Sequence, residues 1–280
     1  MARVDRKKQR IRQLCIRVCF FCAVLIVIIG LICVGVKNRR DNKEQAEVKK
    51  EVLEEQLPEV SEEVLMARAV AMEADAPDAI IELLDKNTET VDFVEQYGEL
   101  KDEPPADTVG ELPEDGSLPH LLQWDTRWGY QPYGESFIAA SGCGPTCLSM
   151  VITGLTGDTT VTPYMVAGYA EEMGYMIEEG GTYAGFMWEP VEKWGLTATE
   201  SLESESFLRD EIAEGKPVVC NLEPGEYFTD VGHFIIITGY EDGVITVLDP
   251  FSIENTEKEW NYSDIKEQIA GLYSYELIKE

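Results

Sequence analysis

Residues 141–147, Ser-Gly-Cys-Gly-Pro-Thr-Cys, constrain the fold of this chain most, because they fix where one buried helix begins. The glycines on both sides of Cys143 let the backbone turn sharply and approach neighbouring elements closely. Pro145 suits the first turn of a helix, and the residues after it keep a helical spacing of apolar side chains. The pattern predicts a helix over 144–154 with Cys143 at its start.

The predicted position of Cys143 favours reactivity. A thiol at a helix N-terminus points into the partial positive charge of the helix, which favours the thiolate and therefore nucleophilic attack. The structural alternative is a small buried hydrophobe at a tight turn. The flanking glycines favour the nucleophile.

A thiolate nucleophile needs a base, and the sequence contains two histidines, His120 and His233. His233 begins the run His-Phe-Ile-Ile-Ile-Thr, which is bounded by glycines, rich in β-branched residues and too short for a helix. The pattern predicts a buried strand with His233 at its head. The structural alternative is a core histidine bonded to the backbone. His120 lies ahead of these motifs in a loop-like segment.

A second predicted strand follows and ends in the carboxylate of Asp249. Residues 241–243, Glu-Asp-Gly, form a short turn between the two strands, so the strands should pair antiparallel. That pairing brings Asp249 back towards His233, where it can fix the tautomer and orientation of the imidazole. The structural alternative for Asp249 is a turn residue before Pro250.

Four segments, taken together, resemble the papain-like cysteine peptidases of the bacteriocin-leader-processing type, in particular the free-standing C39-like domains of bacterial surface proteins. The resemblance covers the chain from about Leu118 to the C-terminus, and the order glutamine, cysteine, histidine, aspartate is the family's order. The segments are Gln-Trp-Asp-Thr-Arg-Trp-Gly-Tyr (123–130), Ser-Gly-Cys-Gly-Pro-Thr-Cys (141–147), Gly-Glu-Tyr-Phe-Thr-Asp-Val-Gly-His-Phe-Ile (225–235) and Val-Leu-Asp-Pro (247–250).

The resemblance implies a role for each residue of the site. Cys143 would be the nucleophile, His233 the general acid and base, and Asp249 the residue that orients His233. Gln123 would donate to the oxyanion beside the backbone N–H of Cys143. Papain-like enzymes keep this glutamine a few residues ahead of the cysteine, so here residues 125–138 would have to leave the site and return. The alternative is that Gln131, or no glutamine, serves the oxyanion.

The N-terminal region predicts a membrane anchor. Residues 14–36 are long enough to span a bilayer, and their one charged residue, Arg17, lies near one end. The basic residues before the run favour a cytoplasmic N-terminus and an exported remainder. No small-x-small cleavage site follows the run, which favours an uncleaved signal anchor over a signal peptide. The basic residues ahead of the span are Arg3, Arg6, Lys7, Lys8, Arg10 and Arg12.

Charge separates the N-terminal region from the rest of the chain. Residues 1–40 carry ten Lys and Arg against one acid, residues 41–116 six against twenty-four, and residues 117–280 seven against twenty-eight. A strongly acidic remainder argues against nucleic acid and anionic lipid surfaces as partners. It also fits a preference for cationic peptides, although acidity alone keeps a surface protein soluble.

The sequence therefore divides into a basic cytoplasmic tail (1–13), a transmembrane signal anchor (14–36), an acidic, partly helical spacer or extension (37–117) and a catalytic domain (118–280). Within the extension, residues 79–97 have helical apolar spacing broken near Asn87, which predicts two short helices packed on the domain. Whether this stretch inhibits or only packs is left open.

The domain over 118–280 is long enough for one core. Helical patterns come first and strands follow, which predicts an α+β, papain-like fold with a helix-borne Cys143 packed on an antiparallel sheet that carries His233 and Asp249. The helical patterns lie at 144–154, 163–173, 184–194 and 204–214, and the strands at 217–222, 234–238, 244–248 and 273–278.

Other interpretations remain. A structural zinc site formed by Cys143, Cys147, Cys220 and His233 would leave the glycines and Asp249 unexplained. A Cys147–Cys220 disulfide is compatible with an exported domain. A non-catalytic module that binds peptides or cell-wall material is another alternative, and acyl transfer or peptidoglycan amide hydrolysis would use the same residues.

The sequence as a whole predicts a membrane-anchored, extracytoplasmic cysteine peptidase that acts on a peptide or protein. No metal or organic cofactor is implied, and the oligomeric state is not predicted.

Overall fold

The structure, a computed structural model, describes residues 60–178, 180–228 and 230–279. Residues Ser61–Glu280 form one compact unit. The predicted membrane span over 14–36 lies outside the described residues. Within the described ranges, none of the helices combines the length and apolar character needed to span a membrane.

The first described elements are five short helices separated by turns. The predicted break near Asn87 is present: Asn87 has an extended backbone (φ −154°), and a 3₁₀ turn, Thr88–Thr90, follows it. The helices are α1 (Glu62–Glu73), α2 (Asp78–Ile81), α3 (Leu83–Lys86), α4 (Val91–Glu95) and α5 (Tyr97–Leu100).

Residues 62–100, which carry these five helices, are here called the extension. Their apolar side chains are buried against the rest of the unit. Phe93 of α4 stacks on Tyr130 with ring centroids 4.2 Å apart, and the hydroxyl of Tyr130 donates to the carbonyl of Phe93 at 2.6 Å. Ile80 and Leu83 are buried in the same cluster, which also includes Ala139. The extension and the site-bearing part of the chain thus share one hydrophobic core.

A nearly fully buried helix lies at the centre of the unit. It is α7 (Cys143–Thr156), and residues 143–153 are all buried. Gly157 ends the helix in the left-handed conformation (φ 75°), which a glycine adopts without strain. The elements around α7 are the hairpin β1 (Pro132–Tyr133) and β2 (Ser136–Phe137), helix α6 (Ile138–Ser141) and helix α8 (Pro163–Glu172).

A six-stranded antiparallel sheet follows, with strand order β3-β8-β4-β5-β6-β7. The strands are β3 (Leu196–Ser201), β4 (Val218–Leu222), β5 (His233–Glu241), β6 (Val244–Leu248), β7 (Trp260–Asn261) and β8 (Ile269–Leu277). The helices among them are α9 (Glu205–Ala213), α10 (Ile253–Glu257) and α11 (Tyr262–Ile265). The α+β class and the antiparallel sheet predicted from the sequence are confirmed.

The sheet buries both of its faces. Alternate residues of β5 belong to two different clusters, as the two-residue period of a strand requires. Phe234 and Ile236 pack with Cys147 of α7, while Ile235 and Ile237 pack with Leu208 of α9. Helix α7 therefore covers one face and α9 the other.

A β-bulge in the β5–β6 hairpin places Asp249 on the same face of the sheet as His233. The turn pairs Glu241 with Val244, but the register shifts by one residue between Ile237 and Gly239, so that Ile236 pairs with Leu248. Continuing that shifted register places Asp249 opposite Ile235, which has the same orientation in the strand as His233. Without the bulge, Asp249 would fall opposite Ile236 and point to the other face.

Two predictions about elements are wrong. The helix predicted over 184–194 is a pair of 3₁₀ turns, Ala184–Met187 and Val191–Trp194. Pro190 lies between them, and it disfavours a helical conformation of the residue before it and removes one backbone donor. Strands β3 and β7 were not predicted. They are the two edge strands of the sheet, and most of their residues are exposed or half-buried.

Candidate active site

Cys143 is the first residue of α7, as the sequence predicts to within one position. Close approach explains the glycines beside it. A Cβ atom on Gly142 would lie 2.6 Å from the backbone oxygen of Ile138, and one on Gly144 would lie 3.0 Å from the side chain of Thr182. The missing side chains of both glycines therefore allow the beginning of the helix to pack this closely against its neighbours. Cys143 keeps 9% of its surface exposed.

His233 and Asp249 form a buried pair at the end of the sheet. His233 is the first residue of β5, and its Nε2 lies 2.8 Å from Oδ1 of Asp249, which follows the last residue of β6. Both residues are almost fully buried. The antiparallel hairpin brings the two together as predicted.

The pair favours opposite charges. Burial lowers the pKa of His233, but the charge and hydrogen bond of Asp249 and the contact with Cys143 outweigh burial, so that the pKa is raised above its usual value. Burial raises the pKa of Asp249, and the charge of His233 and its hydrogen bonds reverse that effect, so that this pKa is lowered. An imidazolium facing a carboxylate is the state that these contacts stabilise.

The carboxylate of Asp249 is also held by groups other than His233. The backbone N–H of Phe251 donates to Oδ1 at 2.8 Å, and Nδ2 of Asn255 donates to Oδ2 at 2.7 Å. The backbone N–H of Asp249 itself donates to Oγ1 of Thr256 at 2.9 Å. The segment that follows β6 therefore fixes the orientation of the carboxylate.

Cys143 contacts the same histidine. The interaction of its thiol with the imidazole raises the pKa of His233. Because Nε2 of His233 is hydrogen-bonded to Asp249, Nδ1 is the ring nitrogen that remains for the thiol. The structure thus brings Cys143 and Asp249 to the same imidazole.

Gln123 lies in the same place despite its distance along the sequence. The segment after it leaves the site, forms the β1–β2 hairpin and returns, so that Nε2 of Gln123 donates to the carbonyl of Ala139 at 2.8 Å. One hydrogen of the amide remains free of that bond. The buried Oε1 has no hydrogen-bond partner among the described residues.

One cavity of about 830 Å³ is lined by Gln123, Cys143 and His233. Two loops form further parts of its wall, and the extension forms another. The first loop contributes Gly180, Gly181 and Thr182, the second Gly225, Glu226, Phe228, Asp230, Val231 and Gly232, and the extension Ala79, Glu82, Asp85 and Lys86.

The Peptidase C39-like family matches residues 117–280, which is more than half of the chain. The chain belongs to this family. The match begins after the extension, so the helices that precede residue 117 lie outside the part that the family describes. No curated protein matches the chain significantly.

Two solved structures are similar to this C39-like chain. The peptidase domain of Streptococcus ComA, described as a bifunctional ABC transporter involved in quorum sensing, is 15% identical, with 49% of this chain and 91% of that chain covered and a TM-score of 0.36. A protein from Bacillus anthracis described as a C39-like peptidase is 16% identical, with 57% and 94% covered and a TM-score of 0.36.

The other two described cysteines of the C39-like chain are fully buried and free. Cys147 donates its thiol to the carbonyl of Phe234, and burial raises the pKa of both Cys147 and Cys220. The disulfide considered from the sequence is not formed. Across the described ranges, no three His, Cys, Asp or Glu side chains come together as metal ligands.

Three residues near the site, His120, Tyr133 and Thr182, have contacts that the sequence did not reveal. Nε2 of His120 lies 2.7 Å from the backbone carbonyl of Asp249 and 3.2 Å from Oγ1 of Thr256. The hydroxyls of Tyr133 and Thr182 are hydrogen-bonded at 2.7 Å beside the start of α7.

Proposed function

We propose that this protein is a cysteine peptidase whose catalytic residues are Cys143, His233 and Asp249. The observation that supports this function is the buried hydrogen bond between His233 and Asp249, with the thiol of Cys143 interacting with the same imidazole at the wall of a cavity. Membership of the Peptidase C39-like family supports the same reaction class.

In the proposed reaction, the thiolate of Cys143 attacks the carbonyl carbon of a peptide bond and forms a tetrahedral intermediate. The imidazolium of His233 donates its proton to the departing amine, which leaves a thioester on Cys143. Neutral His233 then takes a proton from water as the water oxygen attacks the thioester carbonyl and forms a second tetrahedral intermediate. Its collapse breaks the C–S bond, releases the acid product and restores the Cys143 thiolate beside the His233 imidazolium. Asp249 stabilises the imidazolium and keeps its ring in place.

The oxyanion would be stabilised by two donors. The backbone N–H of Cys143 belongs to the first residue of α7, and such N–H groups have no partner within their own helix. The second donor is the free amide hydrogen of Gln123, whose other hydrogen is bonded to Ala139. Gln123 lines the cavity beside Cys143, which is the position that this role requires.

The decisive experiment combines thiol labelling with product analysis on the full chain. At near-neutral pH, iodoacetamide should modify Cys143 ahead of Cys147 and Cys220, which serve as internal controls because both are fully buried. A peptide library incubated with the protein and analysed by mass spectrometry should yield cleavage products, and Cys143→Ala should abolish them. Equal labelling of the three thiols, or products from the alanine variant, would refute the proposed nucleophile.

The proposal extends to location: residues 14–36 would anchor the protein in the cell membrane with the catalytic domain outside the cytoplasm. The length and apolar character of the run and the basic residues before it support this arrangement. In intact cells, added protease should reach an epitope after Asp41 and not one at the N-terminus. A soluble product beginning near residue 37 would instead indicate a cleaved signal.

A further inference from the structure

The segment that orients Asp249 is itself held by the extension. After Asp249, the chain passes through Pro250, Phe251 and Ser252 and enters the short helix α10. Both additional donors to the Asp249 carboxylate, the N–H of Phe251 and the side chain of Asn255, belong to this segment. The orientation of Asp249 therefore depends on where α10 and the turn before it are placed.

Glu89, in the 3₁₀ turn of the extension, binds the beginning of α10. Its Oε2 accepts from the N–H of Ile253 at 3.0 Å, and its Oε1 accepts from the N–H of Glu254 at 3.0 Å. These are N–H groups of the first turn, which have no acceptor inside the helix. A carboxylate at this position satisfies both donors and is favoured by their partial positive charge.

Asn87 completes the contact between the extension and this segment. Its Nδ2 donates to the carbonyl of Phe251 at 2.6 Å and to Oε2 of Glu89 at 3.0 Å, and its Oδ1 accepts from the N–H of Glu89 at 2.9 Å. Phe251 is thus held from both sides: its N–H by Asp249 and its carbonyl by the extension. The path from Glu89 to the Asp249 carboxylate therefore runs through these hydrogen bonds and the backbone of residues 251–255.

We propose that Glu89 is a positioning residue of the active site, which orients Asp249 through α10 and so supports the imidazolium of His233. The inference rests on the proposed function, and it assigns a role in the reaction to a residue outside the part of the chain that the C39-like family matches. The extension would then be a component of the active site in addition to a wall of the cavity.

The test measures the rate at which iodoacetamide alkylates Cys143 in the full chain at about pH 6, where a thiolate depends on a protonated partner. Glu89→Ala should lower the rate by about three- to tenfold, because a displaced Asp249 supports the imidazolium less well. Glu89→Gln keeps one acceptor oxygen and should retain most of the rate. Glu99→Ala, an exposed glutamate of the same extension, is the matched control and should match the wild type.

The same variants in an Asp249→Asn background distinguish a positioning role of Glu89 from a general effect of Glu89 on folding. If Glu89 acts through the carboxylate of Asp249, adding Glu89→Ala to Asp249→Asn should lower the rate by less than about twofold further, because the charge that it orients is already gone. Wild-type rates in both Glu89 variants, or an equal loss in the two backgrounds, would overturn the positioning role. Should wild-type Cys143 react no faster than the buried cysteines, the proposed function fails first, and the role of Glu89 fails with it.

Discussion

At the scale of single residues, His233 is bound through one ring nitrogen by Asp249 and faces Cys143 with the other. Four side chains named from the sequence, Gln123, Cys143, His233 and Asp249, lie together. Cys143 and His233 begin elements whose local patterns were clear and Asp249 follows one, whereas Gln123 was named through the family resemblance. The contact of His120 with the backbone of Asp249 had no such signal. A histidine in a loop gives no information about which distant carbonyl it will meet.

Asp249→Asn should move the alkaline limb of the pH profile of kcat/KM to lower pH. The charge of Asp249 raises the pKa of His233, so removing that charge lowers the pKa and deprotonates the imidazolium earlier as pH rises. His233→Ala removes the proton donor altogether and should cost about 100- to 10,000-fold, more than Asp249→Asn. Activity measured across the pH range checks both expectations.

His120→Ala is the comparison variant for this experiment. Among the described residues, the hydrogen bonds of His120 go to the main-chain carbonyl of Asp249 and the hydroxyl of Thr256, so its loss should leave the alkaline limb in place and cost less than Asp249→Asn. A loss as large as that of His233→Ala, with Asp249→Asn silent, would make His120 the base.

At the scale of elements, the strands and the central helix follow from local patterns, whereas the register between strands does not. The turn at Asp242 and Gly243 was predictable, because Asp-Gly is typical of two-residue hairpins in which both residues have positive φ. The values here are 49° and 87°. The bulge at Thr238 was not, because it depends on how Gly239 packs against Thr246 on the neighbouring strand. Pairing across strands is a tertiary interaction that neither strand's own sequence encodes.

Gly239→Ala should disturb this bulge and with it the active site. A Cβ on Gly239 would lie 2.3 Å from Oγ1 of Thr246, closer than atoms can approach. We expect a loss of stability of about 1–3 kcal/mol, which urea unfolding would measure, together with reduced alkylation of Cys143. Because Thr246→Ala removes the clashing oxygen, the double variant Gly239→Ala/Thr246→Ala should recover much of both. Absence of recovery would mean that the clash is not the cause.

At the scale of the whole molecule, the extension and the family-matched part of the chain form one compact unit. The sequence predicted two short helices over 79–97 that pack on the domain; the structure has three there, α2, α3 and α4, and they do pack on it. It did not predict that Glu89 reaches Ile253, 164 residues further along the chain, or that Glu82 and Asp85 line the cavity. Such contacts arise only when the complete core is assembled.

Phe93→Ala tests whether the extension is part of the cooperative fold. Phe93 is buried and stacks on Tyr130, so truncating it should cost about 3–5 kcal/mol. In urea, far-UV circular dichroism and tryptophan fluorescence should still report a single coincident transition at a lower midpoint. Two separate transitions would show that the extension unfolds independently. Glu95→Ala, an exposed position of the same helix, should leave the midpoint unchanged.

The charge of the cavity predicts how substrate preference depends on salt. Four carboxylates line the cavity against one ammonium group, that of Lys86. Peptides with basic side chains should therefore be cleaved with a higher kcat/KM than their neutral counterparts at low ionic strength, and added salt should reduce that advantage. Equal salt dependence for cationic and neutral peptides would contradict this expectation. The carboxylates are those of Glu82, Asp85, Glu226 and Asp230.

The bulge at Thr238 has a consequence for insertions and deletions in this hairpin. Between His233 and Asp249, one residue gained or lost within the regularly paired part of either strand would move every residue beyond the change to the opposite face of the sheet. A single-residue change can keep the histidine–carboxylate pair if it falls in the turn or at the bulge, because neither belongs to the regular pairing. Homologous hairpins that differ by one residue should therefore carry that difference at one of these two places.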